Sequence, residues 1–368
     1  HLLAQISDRE GLESHLQQSG RSLYCGFDPT APSLHIGNLV PLLTLRRFQL
    51  AGHCPIALVG GATGLIGDPS ERVDERGLND VDVVRGWGER LSQQVSRFID
   101  LDGKYAARVV DNLEWTSPLD ALGFLRNIGK HFSVNAMIQR DSVKNRLGRE
   151  GEGISYTEFS YMLLQAYDFL ELSRRYQCTI QVGGSDQWGN MVSGIDLIRR
   201  VDGQQAFVLT VPLITRSDGL KFGKTADGAI WLDPDMTSPY RFYQFWLNSA
   251  DEDVVPFLGY FTFLDSSDIA DAATELRDRP GERGAQRLLA REVTLLAHGQ
   301  GALSSAERIT AALFGGAVAD LKREDLEQLR LDGMDSTSVE NEEELLTALV
   351  RAGLAKSRGA GRKLIDGK

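Results

Sequence analysis

The sequence predicts an α/β fold: a doubly wound parallel sheet, interrupted by a long helical insertion and followed by an all-α region. Three observations predict it. Short apolar runs at 22–27, 55–60, 108–111, 178–182 and 207–211 alternate with helical stretches. Residues 113–176, between the third and fourth runs, carry no strand pattern and read as several helices. Beyond Asp233-Pro234 the strand patterns cease, and 238–248, 251–260, 266–277, 282–298 and 304–314 read as helices.

The elements follow in order. Ser7 to Glu10 fits a capping box, and the helix it opens stops near Gly20. The run at 22–27 is a short buried strand, and Asp28-Pro29-Thr30-Ala31-Pro32-Ser33 is a turn, because two prolines and small polar residues cannot continue a strand. From Ile36 to Leu50 the apolar residues recur at helical spacing, with Gly52 as the stop. His35 then lies at a helix N-terminus, beside N–H groups that lack intrahelical partners, and such an end attracts phosphate. The imidazole and the Thr30 hydroxyl can add donors, and Gly37 leaves room for adenine or ribose to approach the backbone. The strand at 178–182 ends in Gly183-Gly184-Ser185-Asp186 before a new helix. Ligands of open parallel sheets bind beyond the carboxyl ends of the strands, so both strand ends should face one crevice, with Asp186 placed to accept from ribose hydroxyls. Lys221-Phe222-Gly223-Lys224-Thr225 is a glycine-bearing loop with two lysines, suited to neutralising phosphate. Residues 319–339 are polar, acidic and weakly periodic and read as a linker; 342–352 is amphipathic, with Gly353 as its stop.

Composition narrows the class. At 368 residues, 42% hydrophobic and 25% charged, the chain has room for two or three domains. No apolar run reaches the length of a membrane span, and no signal peptide is visible, although the chain opens on His1 rather than methionine, so residues are expected to precede it. The three cysteines, Cys25, Cys54 and Cys178, form no CxxC pair, which argues against zinc and a disulfide framework and fits a reducing cytoplasm. Cys54 and Cys178 read as small buried apolar residues. The net charge of −11 does not by itself point to nucleic acid. The charge is uneven, however: 340–344 is acidic and 356–363 is locally basic, so RNA contact would use local patches.

Rival motifs fare poorly. The glycines from Gly60 to Gly67 do not have G-x-G-x-x-G spacing, and the Gly219–Thr225 stretch is one residue short of a P-loop and opens no apolar helix. No Ser/His/Asp nucleophile arrangement is apparent. Tyr161, Gln165 and Asp168 fall at i, i+4 and i+7 of one helix and share a face. That face is either solvated or, given Phe159, Met162, Leu163 and Phe169 beside it, a buried polar pocket.

Taken together, His35-Ile36-Gly37-Asn38 and Lys221-Phe222-Gly223-Lys224-Thr225 resemble the HIGH and KMSKS signatures of class I aminoacyl-tRNA synthetases, the latter in the KFGKT form of the bacterial tyrosyl branch. The resemblance extends through 24–30, 59–70, 161–169 and 183–190 and runs almost end to end. It implies a tyrosine–tRNA ligase: tyrosine is activated with ATP to an adenylate and then passed to the 3' end of its tRNA, with Mg2+ accompanying ATP and no prosthetic group or zinc. It implies a Rossmann-like catalytic domain over 1–236, whose 113–176 helical connective insertion makes a homodimer interface around Gly129-Lys130-His131-Phe132. An α-helical anticodon-side domain over 237–318 would follow, then the 319–339 linker and, over 340–368, part of a C-terminal RNA-binding module that relatives continue further. Tyr156 stands where relatives usually carry Phe. No DNA or membrane partner is implied.

The resemblance also assigns roles. Tyr24 and Asp168 would bind the tyrosine hydroxyl, Asp68, Tyr161 and Gln165 its ammonium, and Gln187 its carboxylate. Cys25, Gly26, Asp28, Gly37, Asn38, Gly184, Asp186 and Lys224 would contact ATP. Thr30, His35, Lys221, Lys224 and Thr225, joined by Arg76, would stabilise charge on the departing pyrophosphate. A tryptophanyl enzyme shares both signatures but would have no use for the Tyr24/Asp168 pair. A catalytically inactive RNA-binding or regulatory relative would have no use for an intact lysine loop.

Overall fold

Runs such as Phe207-Val208-Leu209-Thr210-Val211, buried on both faces, belong in the middle of a parallel sheet covered by helices. The computed structural model of the chain describes residues 2–68, 80–140, 143, 144, 147, 153–215, 217, 222–225, 228–339 and 343–367. Strands β1 (Gln5–Ile6), β2 (Ser22–Phe27), β3 (Cys54–Val59), β4 (Arg108–Asp111), β5 (Cys178–Gly184) and β6 (Phe207–Val211) form one sheet in the order β1-β6-β5-β2-β3-β4. All neighbours are parallel except β1, which pairs antiparallel with the edge of β6. From β2 the chain steps outward to β3 and β4, then returns to lay β5 on the other side of β2. This reversal between β2 and β5 is the topological switch point, where an open α/β sheet has its crevice.

The strand period of two sorts β2 between two cores. Leu23, Cys25 and Phe27 join the core shared with helix α2 (Leu39–Leu50) and α3 (Val81–Val95), whereas Tyr24 joins the opposite one. Within 113–176 lie α4 (Ala121–Asn127) and α5 (Tyr156–Tyr176), and α6 (Trp188–Asp202) follows β5. Ser155 caps α5 by accepting the Glu158 N–H at 3.2 Å, and Gln177, at φ 52°, ends it. Phe169 and Leu170 of α5 and Met191 and Leu197 of α6 cover the face that holds Tyr24.

The helical domain comprises α7 (Pro239–Leu247), α8 (Asp251–Phe261), α9 (Ser266–Asp278) and α10 (Gly284–Leu313). The two helices expected at 282–298 and 304–314 run on as α10, interrupted where Gly299 turns to φ 81° and ψ 175°. Phe242, Trp246 and Phe261 extend the core on the α2 side of the sheet without a break. No described helix is long and apolar enough to cross a membrane.

Three expectations are corrected. Ser7 does not cap α1 (Arg9–Leu16); Asp8 does, accepting the Gly11 N–H at 3.0 Å, while Ser7 Oγ accepts the Val208 N–H at 3.0 Å and so fastens the β1 edge. The 319–339 segment is not an open linker. It carries α11 (Arg323–Leu331), whose buried Asp325 accepts from Arg308 Nε at 2.7 Å and from Ser305 Oγ, and whose Gln328 Oε1 accepts the Tyr240 N–H at 2.9 Å. The basic 356–363 stretch is largely helical. Ser357 caps α13 (Arg358–Ile365), which packs on α12 (Leu345–Arg351), with Arg358 paired to Glu344 and Gly361 against Leu346 and Leu349. Cys178 is buried as expected, but Cys54 is half-buried.

Candidate active site

A cleft of about 490 Å3 opens at the carboxyl ends of β2 and β5. It gathers Tyr24, Cys25, Gly26, Asp28, Thr30, His35, Gly37, Asn38, Asp68, Tyr161, Gln165, Asp168, Gly184, Asp186 and Gln187 into one wall. Arg76 and Lys221 lie outside the described residues, as do the side chains of Lys224 and Thr225, whose backbones pair with Gly228–Ala229 in a two-strand hairpin.

At the inner end stands Asp168, 3% exposed. Its two oxygens accept from Trp115 Nε1 at 2.8 Å and Asn112 Nδ2 at 2.9 Å. Burial pushes the carboxyl up, with Asp28 and Asp111 adding to the effect and the two donors opposing it, and the result is about 7. The Tyr24 hydroxyl beside it is buried without a partner, and its pKa is raised well above the ordinary phenol value by burial and by Asp168. Gln165 Oε1 and Gln181 Oε1, also buried, lack partners too. Buried polar atoms normally find partners, so three orphans in one cleft mark where a polar ligand is to be met.

The middle of the cleft is acidic. Asp28 accepts from Tyr161 Oη and Thr63 Oγ1, both at 2.7 Å. Gln187 Nε2 donates to Asp68 at 2.7 Å and to Asp186 at 2.8 Å. Burial raises the Asp186 carboxyl, Gln187 opposes this, and Asp68 adds to it. The Cys25 thiol is pushed up to about 12 by burial and by Asp186, so it stays protonated and packs as a small apolar group. Three carboxylates, with the Gln187 amide bridging two of them, suit a cationic amino group and sugar hydroxyls.

The outer end differs from expectation. His35 does not stand beside open N–H groups; it caps the turn itself. Its Nδ1 accepts the Gly37 N–H at 3.0 Å, and Asn38 Oδ1 accepts the His35 N–H at 3.0 Å. The Ile36 N–H goes to Ile230 O at 3.0 Å. With Nδ1 accepting, the ring proton sits on Nε2. Gly37 serves this cap as well: a Cβ there would stand 2.7 Å from His35 Cε1, so the ring rather than a nucleotide occupies that space.

Asn112, Trp115, Thr63 and Gln181 were not singled out from the sequence. Gln181 alone leaves a signal, as an amide between the apolar Ile180 and Val182 of β5. Asn112 and Trp115 follow the end of β4, on the edge of the sheet where sites form, but nothing in their spacing points at Asp168.

Comparison with known proteins agrees with this geometry. The family model for tRNA synthetases class I (W and Y) matches residues 17–315. Proteins named tyrosine–tRNA ligase from Aliivibrio salmonicida and Dechloromonas aromatica are each 55% identical over 366 residues, spanning 99% of this chain and 86% of theirs. The C-terminally truncated mitochondrial tyrosyl-tRNA synthetase of Aspergillus nidulans superposes with a TM-score of 0.77 at 30% identity, over 85% of this chain and 91% of that one. A tryptophan-bound tryptophanyl-tRNA synthetase of Encephalitozoon cuniculi, at 13% identity and a TM-score of 0.61 over 90% of this chain and 88% of that one, shares the fold alone. The chain belongs to the class I tRNA synthetase family of tryptophan and tyrosine enzymes.

Proposed function

We propose that the protein is a tyrosine–tRNA ligase whose cleft binds tyrosine at its inner end and ATP at its outer end. The tyrosine carboxylate attacks the α-phosphorus of ATP, pyrophosphate leaves with the P–O bond electrons, and the adenosine at the tRNA 3' end then displaces AMP from the adenylate. The observation that carries the reading is the buried pair Tyr24 and Asp168. A phenol reaching that end donates to the carboxylate and accepts from the Tyr24 hydroxyl, which otherwise has no partner. An indole offers no hydroxyl to complete the pair, which disfavours the tryptophanyl alternative. The intact lysine-loop sequence disfavours an inactive relative.

The resemblance and the lining of the cleft support the following roles. Asp68, Tyr161 and Gln165 receive the ammonium, and the Tyr161 hydroxyl also donates to Asp28 at 2.7 Å. Gln187 stands near the carboxylate, and Asp186, Gly184, Gly26 and Cys25 face the ribose. Thr30 and His35 line the cleft's outer end and would donate to pyrophosphate, with Asn38 and Gly37 beside them; the resemblance adds Lys221, Lys224, Thr225 and Arg76 as further donors to it. Catalysis is then positioning and electrostatic stabilisation, with no covalent enzyme intermediate. Mg2+ would accompany ATP and supply positive charge against the nucleotide's phosphates. We place the protein in the cytoplasm, divided as catalytic domain, α-helical anticodon-side domain and a C-terminal RNA-contacting unit containing α12 and α13.

A homodimer through the connective helices is part of the reading. Leu122, Leu125, Val134 and Tyr156 expose 78%, 53%, 57% and 69% of their surface there, an apolar patch that a second copy would cover. The deciding experiment is ATP–pyrophosphate exchange with tyrosine, tryptophan or phenylalanine as the amino acid. Exchange driven by tyrosine is expected; exchange driven best by tryptophan, or none, refutes the reading.

A further inference from the structure

Phe222, the second residue of the lysine loop, is anchored outside its own loop. Its ring stacks on Phe261 with centroids 5.1 Å apart and planes 17° apart. It also meets Phe257 at 5.2 Å and Phe245 and Trp246 at 5.8 Å, all within the range where aromatic rings attract. These four rings belong to α7 and α8 of the helical domain, and Trp246 and Phe261 are fully buried. The next residue passes the link to the first signature. Gly223 O accepts the Ile230 N–H at 3.0 Å, and Ile230 O accepts the Ile36 N–H at 3.0 Å. Gly223 sits at φ +78°, and a Cβ on it would stand 2.9 Å from Ile36 Cγ1, so the two signatures touch through a position that only glycine fills without strain. The far end of α2 is tied to the same helix. Arg47 Nη2 donates to the carbonyls of Gly259, Tyr260 and Thr262 at 3.0, 3.1 and 2.9 Å, where α8 ends. Thus α8 holds the lysine loop through Phe222 and the His35 helix through Arg47, although no side chain of the helical domain lines the cleft.

We propose that Phe222 is a positioning residue for adenylate formation: the aromatic cage of the helical domain, acting through this ring, sets where the lysine loop stands against the His35–Asn38 turn. The inference rests on the ligase reading for its kinetic consequence, but its structural consequence is independent of it. Phe261 lies outside the cleft, so Phe261→Leu perturbs the cage without touching substrate. Phe261→Leu, which removes one of the four ring contacts to Phe222, should lower the kcat of tyrosine-dependent exchange about five-fold, and Phe222→Leu, which removes all four, at least as much, with the tyrosine Kd changed by less than about two-fold in each. The double variant should be no slower than Phe222→Leu alone, because both cut one series of contacts. Phe222→Met should recover most of the rate, since a thioether keeps favourable sulfur–aromatic contacts. Hydrogen exchange read by mass spectrometry should quicken at the Ile230 amide in both leucine variants. A wild-type kcat in Phe261→Leu, multiplicative losses in the double variant, tyrosine binding lost in step with kcat, or an unchanged Ile230 amide would each overturn the proposal. If the unaltered protein shows no tyrosine-dependent exchange, the ligase reading fails, and the Ile230 amide still decides the coupling.

Discussion

Replacing Asp168 with alanine should turn a tyrosine-selective cleft into a poorly discriminating one. The carboxylate is held by Trp115 and Asn112 and faces the unpartnered Tyr24 hydroxyl. Its loss removes a hydrogen bond between the substrate phenol and a charged acceptor, worth ~1.5–3 kcal/mol. That is roughly a 10- to 160-fold fall in kcat/KM for tyrosine. Phenylalanine never makes the bond, so its kcat/KM should change little, and the Tyr:Phe preference should shrink by nearly the same factor. The substitution also strands the Asn112 and Trp115 donors, at ~1–3 kcal/mol each. Relief of a buried carboxylate whose pKa stands at about 7 offsets part of that cost. Melting curves must therefore accompany the kinetics, so that a folding defect is separated from lost selectivity. The assay is competition between the two amino acids in pyrophosphate exchange at pH 8, where the wild-type carboxylate is ionised. An unchanged preference in a folded variant would mean that Asp168 does not meet the substrate.

Four further outcomes follow from the structure. Because a protonated Asp168 is a neutral and weaker acceptor than the carboxylate, kcat/KM for tyrosine should rise with pH through about 7 and then level, and this acid limb should vanish in Asp168→Ala. Burial alone would raise the Asp325 carboxyl, but Arg308, Ser305 and the Lys322 N–H hold it at about 2; the folded value lies below the unfolded one of about 3.9, so its stabilisation is complete above pH ~4 and is lost as pH falls towards 2. Asp325→Asn should lower Tm at neutral pH and flatten that acid limb in thermal melts. Leu125→Glu should shift sedimentation at micromolar concentration from dimer to monomer with Tm little changed, and a wild-type protein that sediments as monomer would refute the interface. Ending the chain before Glu343 should leave tyrosine-dependent exchange near its full rate and sharply reduce tRNA charging, since every lining residue of the cleft precedes residue 223; equal loss of both activities in a folded protein would refute the division of labour.

How much of this was legible in the sequence depends on which force shapes each part. Strands β2, β4 and β6 were legible to the residue, because unbroken apolar runs between turns have few other places to go. The two residues of β1 are too short for any period to register. Helix α11 was read as linker because its sequence, Arg-Glu-Asp-Leu-Glu-Gln-Leu-Arg-Leu, has no clean apolar stripe. It is held by polar groups instead: Asp325 by Arg308, Gln328 by the Tyr240 N–H, and Asp332, just past its end, by Ser238 Oγ at 2.5 Å. Hydrophobic periodicity is blind to such anchoring, since each partner lies on a distant part of the chain. The site divides in the same way. Residues carried in contiguous signature strings lie together in the cleft, whereas Asn112 and Trp115 act only through bonds that cross the fold.

The His35 turn shows what the structure adds to a correctly located motif. A serine or aspartate at the cap would satisfy the Gly37 N–H and present only oxygen to the cleft. Histidine accepts that N–H with Nδ1 and, in the same tautomer, carries a proton on Nε2 across the ring. The partial positive charge of the helix end is therefore not presented by backbone amides, which are all engaged in the first turn; it is relayed by an exposed imidazole. A donor on a ring reaches further into the cleft than an amide can. Its position is fixed twice: by the cap it makes, and by the Trp231 strand bridge with its neighbouring ring 6.2 Å away. Trp231 follows Ile230, the residue that bonds both signatures, so the donor on His35 and the base of the lysine loop are referenced to one short stretch of backbone. On the proposed ligase reading His35 stabilises charge developing on pyrophosphate, and such a group gains from being held before the charge appears. The residue type, the tautomer and the strand beneath it all serve that one requirement.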